Sequence, residues 1–261
     1  MCFFESIDKE YFTKLWKKVG KAIGNFDMIS EGARIAIGIS GGKDSLTLAI
    51  ALKRLQNIAP VRFHLEGFCV NPGIKDFYEK GKQLFAFMEK LDIPLNIIDS
   101  EIIKIVFEDK KVKNPCFMCS RLRRGILYNK LKEKKFDTLA LGHHMDDHAE
   151  TFLLNVLFSG SSREMPPCYF SKQHRIKVIR PLVYVSEKDI IEFTDKEKIP
   201  ITHFSCGISK ETVLQRHRLK AILNDLEKDF PEVKNSVLGA SLAANQKQDL
   251  GRKKRYAKKK R

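Results

Sequence analysis

The chain has 261 residues, 43% of them hydrophobic, enough to bury a sizeable core as one α/β domain with a small appendage. No apolar run approaches the ~18 residues of a membrane span, and the acidic start Met1–Asp8 has no long apolar stretch, so an integral membrane or secreted protein is not expected and the cytoplasm is. The net charge of +16, from 48 Lys and Arg against 32 Asp and Glu, points to a polyanion such as RNA as partner.

In chain order, residues 8–29 alternate apolar positions (Leu15, Trp16, Val19, Ile23) with Lys14, Lys17, Lys18 and Lys21 at helical spacing, predicting an amphipathic helix. Its lysines suit a solvated face or nucleic acid equally. Ala33–Ile39 reads as a buried strand, and Ser45–Leu52 as a buried helix. Further strands are predicted near 61–70, 94–99, 134–141 and 176–185, the last broken by Pro181. Helices are predicted near 74–91 and 144–158, from Ser186, from about Ile208 and after Pro231. Strands alternating with helices predict a doubly wound, mainly parallel sheet with helical N- and C-terminal extensions. The expected segments are a helix within 1–30, the main domain over 31–200, a helical segment over 201–251 and a basic tail over 252–261. That tail carries eight of the sixteen net charges.

Between the first strand and its helix lies Ser40-Gly41-Gly42-Lys43-Asp44-Ser45. Strand, glycine turn and helix N-terminus make a phosphate site, because free N–H groups converge where the helix dipole favours an anion. The spacing fits neither Gly-x4-Gly-Lys-Ser/Thr nor Gly-x-Gly-x-x-Gly. It resembles the PP-loop of the N-type ATP pyrophosphatases, which cleave ATP between its α and β phosphates to adenylate a substrate.

Two other constellations carry chemistry. Gly142-His143-His144-Met145-Asp146-Asp147 crowds histidines and acids at a predicted strand end, where carboxylates can hold Mg²⁺ and histidines can relay protons. Cys116-Phe117-Met118-Cys119 places two thiols three residues apart, followed by Arg121, Arg123 and Arg124, which favour thiolates and attract phosphate. Cys206 is the best further ligand. Cys116, Cys119 and Cys206 suit a [4Fe–4S] cluster with one open iron, and with His203 they suit tetrahedral zinc equally well. Cys69, in a predicted strand, reads as a small buried hydrophobe.

Together these stretches resemble the tRNA 2-thiocytidine synthetases, or tRNA-cytidine 2-sulfurtransferases, over roughly residues 10–225. Cys116 to Tyr128, Gly142 to Asp147, Met165-Pro166-Pro167 and Ile179-Arg180-Pro181-Leu182 carry the likeness. The resemblance implies a tRNA sulfurtransferase that uses ATP and Mg²⁺ to adenylate O2 of cytidine 32 in the anticodon loop, sulfur then displacing AMP. It implies that Ser40, Gly41, Gly42, Lys43, Asp44, Ser45, Gly142 and His143 bind the nucleotide. Asp44, Asp146 and Asp147 would be catalytic carboxylates, Asp44 and Asp146 magnesium ligands, and Cys116, Cys119 and Cys206 the holders of a catalytic [4Fe–4S] cluster. A sulfur donor such as a cysteine desulfurase and a homodimeric state are implied as well. The competing expectations are a PP-loop enzyme that makes 2-thiouridine or aminates a base, and a zinc-stabilised RNA-binding protein without catalysis.

Overall fold

The computed structural model describes residues 9–108, 115–204 and 214–244; the basic tail and Cys206 lie outside them. Contacts divide the chain into two compact units, Met1–His143 with Cys168–Ser209, and His144–Pro167 with Lys210–Arg261.

The first unit is built on a six-stranded sheet. Its strands are β1 (Arg34–Gly38), β2 (His64–Asn71), β3 (Leu95–Asp99), β4 (Thr138–Ala140), β5 (Cys168–Ser171) and β6 (Ile176–Ile179). They run in the order β3-β2-β1-β4-β6-β5, parallel throughout except for the antiparallel pair β5 and β6. The chain winds outward from β1 through β2 to β3, then returns to the other side of β1 at β4. A doubly wound sheet binds ligands where its winding reverses, outside the carboxyl ends of the strands. Here that point lies between β1 and β4, the strands that end at Gly38 and Ala140.

Helices α1 (Lys9–Asn25), α2 (Lys43–Ile58), α3 (Phe77–Lys90), α4 (Ile102–Glu108), α5 (Pro115–Glu133) and α7 (Glu187–Lys196) belong to the same unit. The pair α4 and α5 covers one sheet face, where Ile102, Val106, Leu127 and Leu131 pack on Ala36, Phe68, Leu139 and Val178. In α2, eight consecutive residues from Ser45 to Leu52 are buried. A helix hydrophobic all round belongs inside a domain, and this one brings its N-terminus to the winding point. The second unit contains α6 (Met145–Ser159), α8 (Leu214–Asp229) and α9 (233–244), with a small core of Ala149, Leu219 and Leu223. Among the described residues no helix is long and apolar enough to cross a membrane.

The parallel, doubly wound fold agrees with the sequence reading, with three differences. The strand expected over 176–185 ends at Ile179, because Pro181 cannot supply an N–H to the ladder. The antiparallel strand β5 has no counterpart in the sequence reading; at four residues, three of them polar or aromatic, it carries little periodicity. Residues 115–133, read only as a motif-bearing insertion, form the 19-residue helix α5 with Pro115 as its first residue, the helical position proline tolerates best.

Helix α1 buries Leu15, Val19 and Ala22 and leaves Lys14, Lys17 and Lys21 exposed. Lys18 instead pairs with Asp189 of α7. Burial tends to raise the Asp189 carboxyl, but its bonds to Lys18 and Ser186 outweigh that and hold it below its usual value. A lowered carboxyl stabilises the fold above its unfolded value, and the contribution fades as pH falls through the folded one. Lys18→Ala is therefore expected to cost about 0.5 kcal/mol at neutral pH, a modest figure because both partners are part-exposed. In urea titrations this difference should shrink as pH drops below about 4; a constant difference would assign it to packing of the lysine stem.

Candidate active site

The turn after β1 braces itself. The Ser45 hydroxyl donates to the Gly42 carbonyl at 2.9 Å and accepts from Ser40 N–H at 3.2 Å and Ser40 Oγ at 3.1 Å. Both predicted phosphate-binding hydroxyls thus hold the loop in shape. Gly42 caps α2 with extended backbone and no side-chain hydrogen bond. The amides of the first helical turn have no partner within a helix, so an uncapped start presents them, with the positive end of the dipole, to an anion.

Lys43 lies 3.1 Å from Asp44 Oδ1 and 3.1 Å from Glu187 Oε1. Burial alone would lower the Lys43 ammonium, but the two carboxylates outweigh it and hold the group above its ordinary value, firmly charged at neutral pH. Glu187 reads in sequence only as an acid complementing the α7 dipole. The structure gives it a second task, as counter-ion to the loop lysine.

Two backbone approaches fix the loop from outside. Gly41 has φ +82°, a conformation costly for other residues. A Cβ there would stand 2.8 Å from the Thr202 carbonyl and 3.0 Å from the Phe204 ring. Thr202 N–H donates to the Gly41 carbonyl at 2.9 Å, and Phe204 stacks on Phe77 at 4.3 Å. The segment 202–204 is therefore clamped to the loop, and His203 within it is exposed. Gly142, just past β4, approaches the other side: a Cβ there would meet the Asp44 carbonyl carbon and oxygen at 2.9 Å and Ser45 N at 3.1 Å.

His143 follows, and Arg180 Nε donates to its Nδ1 at 3.3 Å. An accepting Nδ1 leaves the proton of the neutral ring on Nε2. Arg180 is 7% exposed and lies over the Tyr169 ring at 5.4 Å. Burial lowers its guanidinium, yet an arginine remains charged at any physiological pH. A charged residue directly after an apolar strand and before Pro181 was the available signal for this site residue, which the sequence reading singled out only as part of a family likeness.

The other predicted carboxylates belong to the second unit. Asp146, 2% exposed, pairs with Lys234 of α9 at 2.7 Å. Lys234 also meets Glu227 at 2.8 Å and Asn224 Oδ1 at 2.9 Å. Asp147 accepts from His144 N–H at 3.1 Å and from Arg216 at 2.9 Å, while the same arginine binds Glu150 at 2.7 Å. Sequence reading gave Lys234 and Arg216 no part here, because their partners lie tens of positions away.

Cys116 and Cys119 stand one turn apart at the start of α5. Cys119 is half-buried and free, and packs with Met118 and Leu122 against the core under the helix. Cys69 is 2% exposed; burial pushes its thiol up to about 12, with Arg123 opposing only in part. It is a neutral core residue, as expected. Burial also raises the thiol of Cys168. Among the described residues, no three His, Cys, Asp or Glu side chains are grouped to hold a metal ion.

Gly142→Ala tests the approach that sets the loop. Forcing a methyl against the Asp44 backbone is expected to cost about 1–3 kcal/mol in urea unfolding and to weaken nucleotide binding, read by calorimetry, at least tenfold. Unchanged nucleotide affinity would show that the loop's shape does not depend on this contact.

A family model for the PP-loop domain matches residues 11–226. The tRNA-cytidine(32) 2-sulfurtransferase of Pelobacter propionicus is 38% identical over 88% of this chain and 85% of its own. That of Geotalea uraniireducens is 37% identical over 96% and 99%. Among solved structures, the U34-tRNA thiolase NcsA from Methanococcus maripaludis, with its [4Fe–4S] cluster, superposes with a TM-score of 0.76 at 27% identity, over 90% of this chain and 80% of that one. On these matches the chain belongs to the PP-loop family and, within it, to the tRNA-cytidine(32) 2-sulfurtransferases.

Proposed function

We propose that the protein is an ATP-dependent tRNA thiolase that converts cytidine 32 of the anticodon loop to 2-thiocytidine. One observation carries this reading beyond its family: the Cys116/Cys119 turn of α5 belongs to the same compact unit as an uncapped, self-braced phosphate loop. Adenylation needs the loop and sulfur delivery needs the thiols.

In the first step the base oxygen O2 attacks the α-phosphorus of ATP, forming an O–P bond while pyrophosphate leaves. The first-turn amides of α2 and the Lys43 ammonium neutralise the departing phosphates. Gly42 lets phosphate oxygens come close, since space around its Cβ position is open apart from the Ser40 hydroxyl at 3.5 Å. His143, with its Nε2–H oriented by Arg180, is a hydrogen-bond donor to the nucleotide. Asp44 and Asp146, each paired with a lysine in this structure, are the carboxylates that would hold magnesium. In the second step sulfide forms a bond to C2, the C2–O bond breaks, and AMP leaves with the oxygen.

The donor set fits an iron–sulfur cluster. Cys116 and Cys119 are spaced by one helical turn, Cys119 is a free thiol against an apolar core, and burial sets Cys69 and Cys168 aside as raised, neutral thiols. Cys206 would complete the set; the chain leading to it is clamped to the phosphate loop at Thr202 and Phe204. A cluster on three cysteines supplies, when bound, an open position for the sulfur to be transferred.

Nucleoside mass spectrometry on tRNA incubated with ATP, sulfide and anaerobically prepared protein is expected to show 2-thiocytidine, with about four iron atoms per chain. Appearance of 2-thiouridine instead would move the activity to the reaction named for the archaeal neighbour. Zinc without labile sulfide, together with no pyrophosphate release, would sink the enzyme reading.

Lys234→Ala tests the role of Asp146. Removing the ammonium takes the 2.7 Å ion pair from a buried carboxylate, a loss of about 3–5 kcal/mol. Millimolar Mg²⁺ should restore much of that stability in the variant and change the wild type little, because the ion would take the place of the lysine. Equal responses of the two proteins to Mg²⁺ would remove Asp146 from the metal site.

A further inference from the structure

Helix α5 presents two faces. Cys119 lies on the inner one with Met118, Leu122 and Ile126. On another face, positions 117, 121, 124 and 128 fall at spacings of three and four and form one stripe. This stripe and the turn between β5 and β6 enclose a cavity of about 440 Å³, lined by Phe117, Arg121, Arg124, Tyr128, Gln173 and His174 among others. Among the described residues no carboxylate lines it. Phe117 is 65% exposed, unusual for a phenylalanine at the rim of a polar pocket. His174 stacks on Tyr128 at 4.2 Å with 14° between the rings, so the hairpin side of the cavity is a rigid, flat wall. The exposed residues Lys172 and Arg175 flank it in the same turn.

We infer that this cavity is a subsite for one unpaired nucleotide of an RNA substrate, distinct from the nucleotide that is thiolated. The inference rests on the proposed action on tRNA. Two arginines with no acid select a phosphate, and an exposed aromatic beside them selects a base; together they are how proteins hold single-stranded RNA. The volume lies at the low end of the ~300–1,000 Å³ typical of small-molecule sites, sufficient for one nucleotide and too small for a duplex. The stripe faces away from Cys119 across a helix about 10 Å thick, which favours a base other than the one receiving sulfur. It is a neighbour in the loop, and holding it fixes which base reaches the reaction centre.

The test uses cluster-loaded protein and unmodified tRNA. Arg121→Ala/Arg124→Ala and Phe117→Ala change exposed positions of a helix, where alanine is well tolerated. The double variant is expected to raise KM for tRNA roughly tenfold and to reduce the salt slope of binding by about 1–2, as two phosphate contacts are lost. Phe117→Ala is expected to raise KM about three- to tenfold and leave the salt slope unchanged. Iron content should stay within twofold of wild type, and KM should rise by a larger factor than kcat falls. Unaltered KM and salt slope in the double variant would overturn the subsite, as would variants that lose a protein partner while retaining full tRNA affinity. Wild-type protein that binds tRNA but makes no thiolated nucleoside would refute the proposed reaction alone, the binding arms still deciding the subsite.

Discussion

The site depends on backbones pressed together without side chains between them. Gly142 meets the Asp44 and Ser45 backbone on one side of the phosphate loop, and Gly41 meets Thr202 on the other. Each contact is closer than any Cβ allows, so each fixes a distance rather than merely permitting one. The result is a loop whose position is set by the end of β4 and by the segment that follows Ile201. Its two serines spend their hydroxyls on internal bonds. Rigidity of this kind is what electrostatic stabilisation of a leaving pyrophosphate requires, since amides already aimed need no reorganisation during the reaction.

Charge is arranged on the same plan. Lys43 sits between Asp44 and Glu187, and Lys234 between Asp146 and Glu227. In both cases burial alone would lower the lysine, and in both a pair of carboxylates outweighs it and holds the group above its ordinary value. Each lysine in turn holds its two carboxylates in place.

The sheet and the phosphate loop were legible because their signals are local. The β-branched run before Ser40 and the small residues after it lie within a dozen positions, and Pro94 and Gly142 mark turns directly. Glu187, Lys234 and Arg216 were not legible, because an ion pair between residues tens of positions or more apart leaves no periodic trace. Arg180 stood in a recognisable Ile-Arg-Pro-Leu run, but its bond to His143 required knowing that β6 lies beside β4. The helix α5 was hidden for another reason. Its apolar residues are interrupted by arginines and by Gly125, and Phe117 and Tyr128 share a stripe with Arg121 and Arg124, which blurs the apolar period.

That irregular composition follows from what α5 has to do. An ordinary amphipathic helix buries one face and gives the other to water. Here the buried side carries a thiol, and the solvent side carries Phe117 and two arginines around a cavity. Between that cavity and the winding point of the sheet runs an unbroken set of contacts. His174 stacks on Tyr128, whose hydroxyl lies 3.4 Å from that of Tyr169; Arg180 covers Tyr169 and donates to His143. Burial and the neighbouring hydroxyl push the Tyr128 phenol up, so it stays protonated and serves as a hydrogen-bonding contact rather than a charge. A nucleotide seated against His174 would therefore rest on the aromatic stack that ends at the His143 turn, and the one helix that carries the thiols would also carry the residues that choose the base.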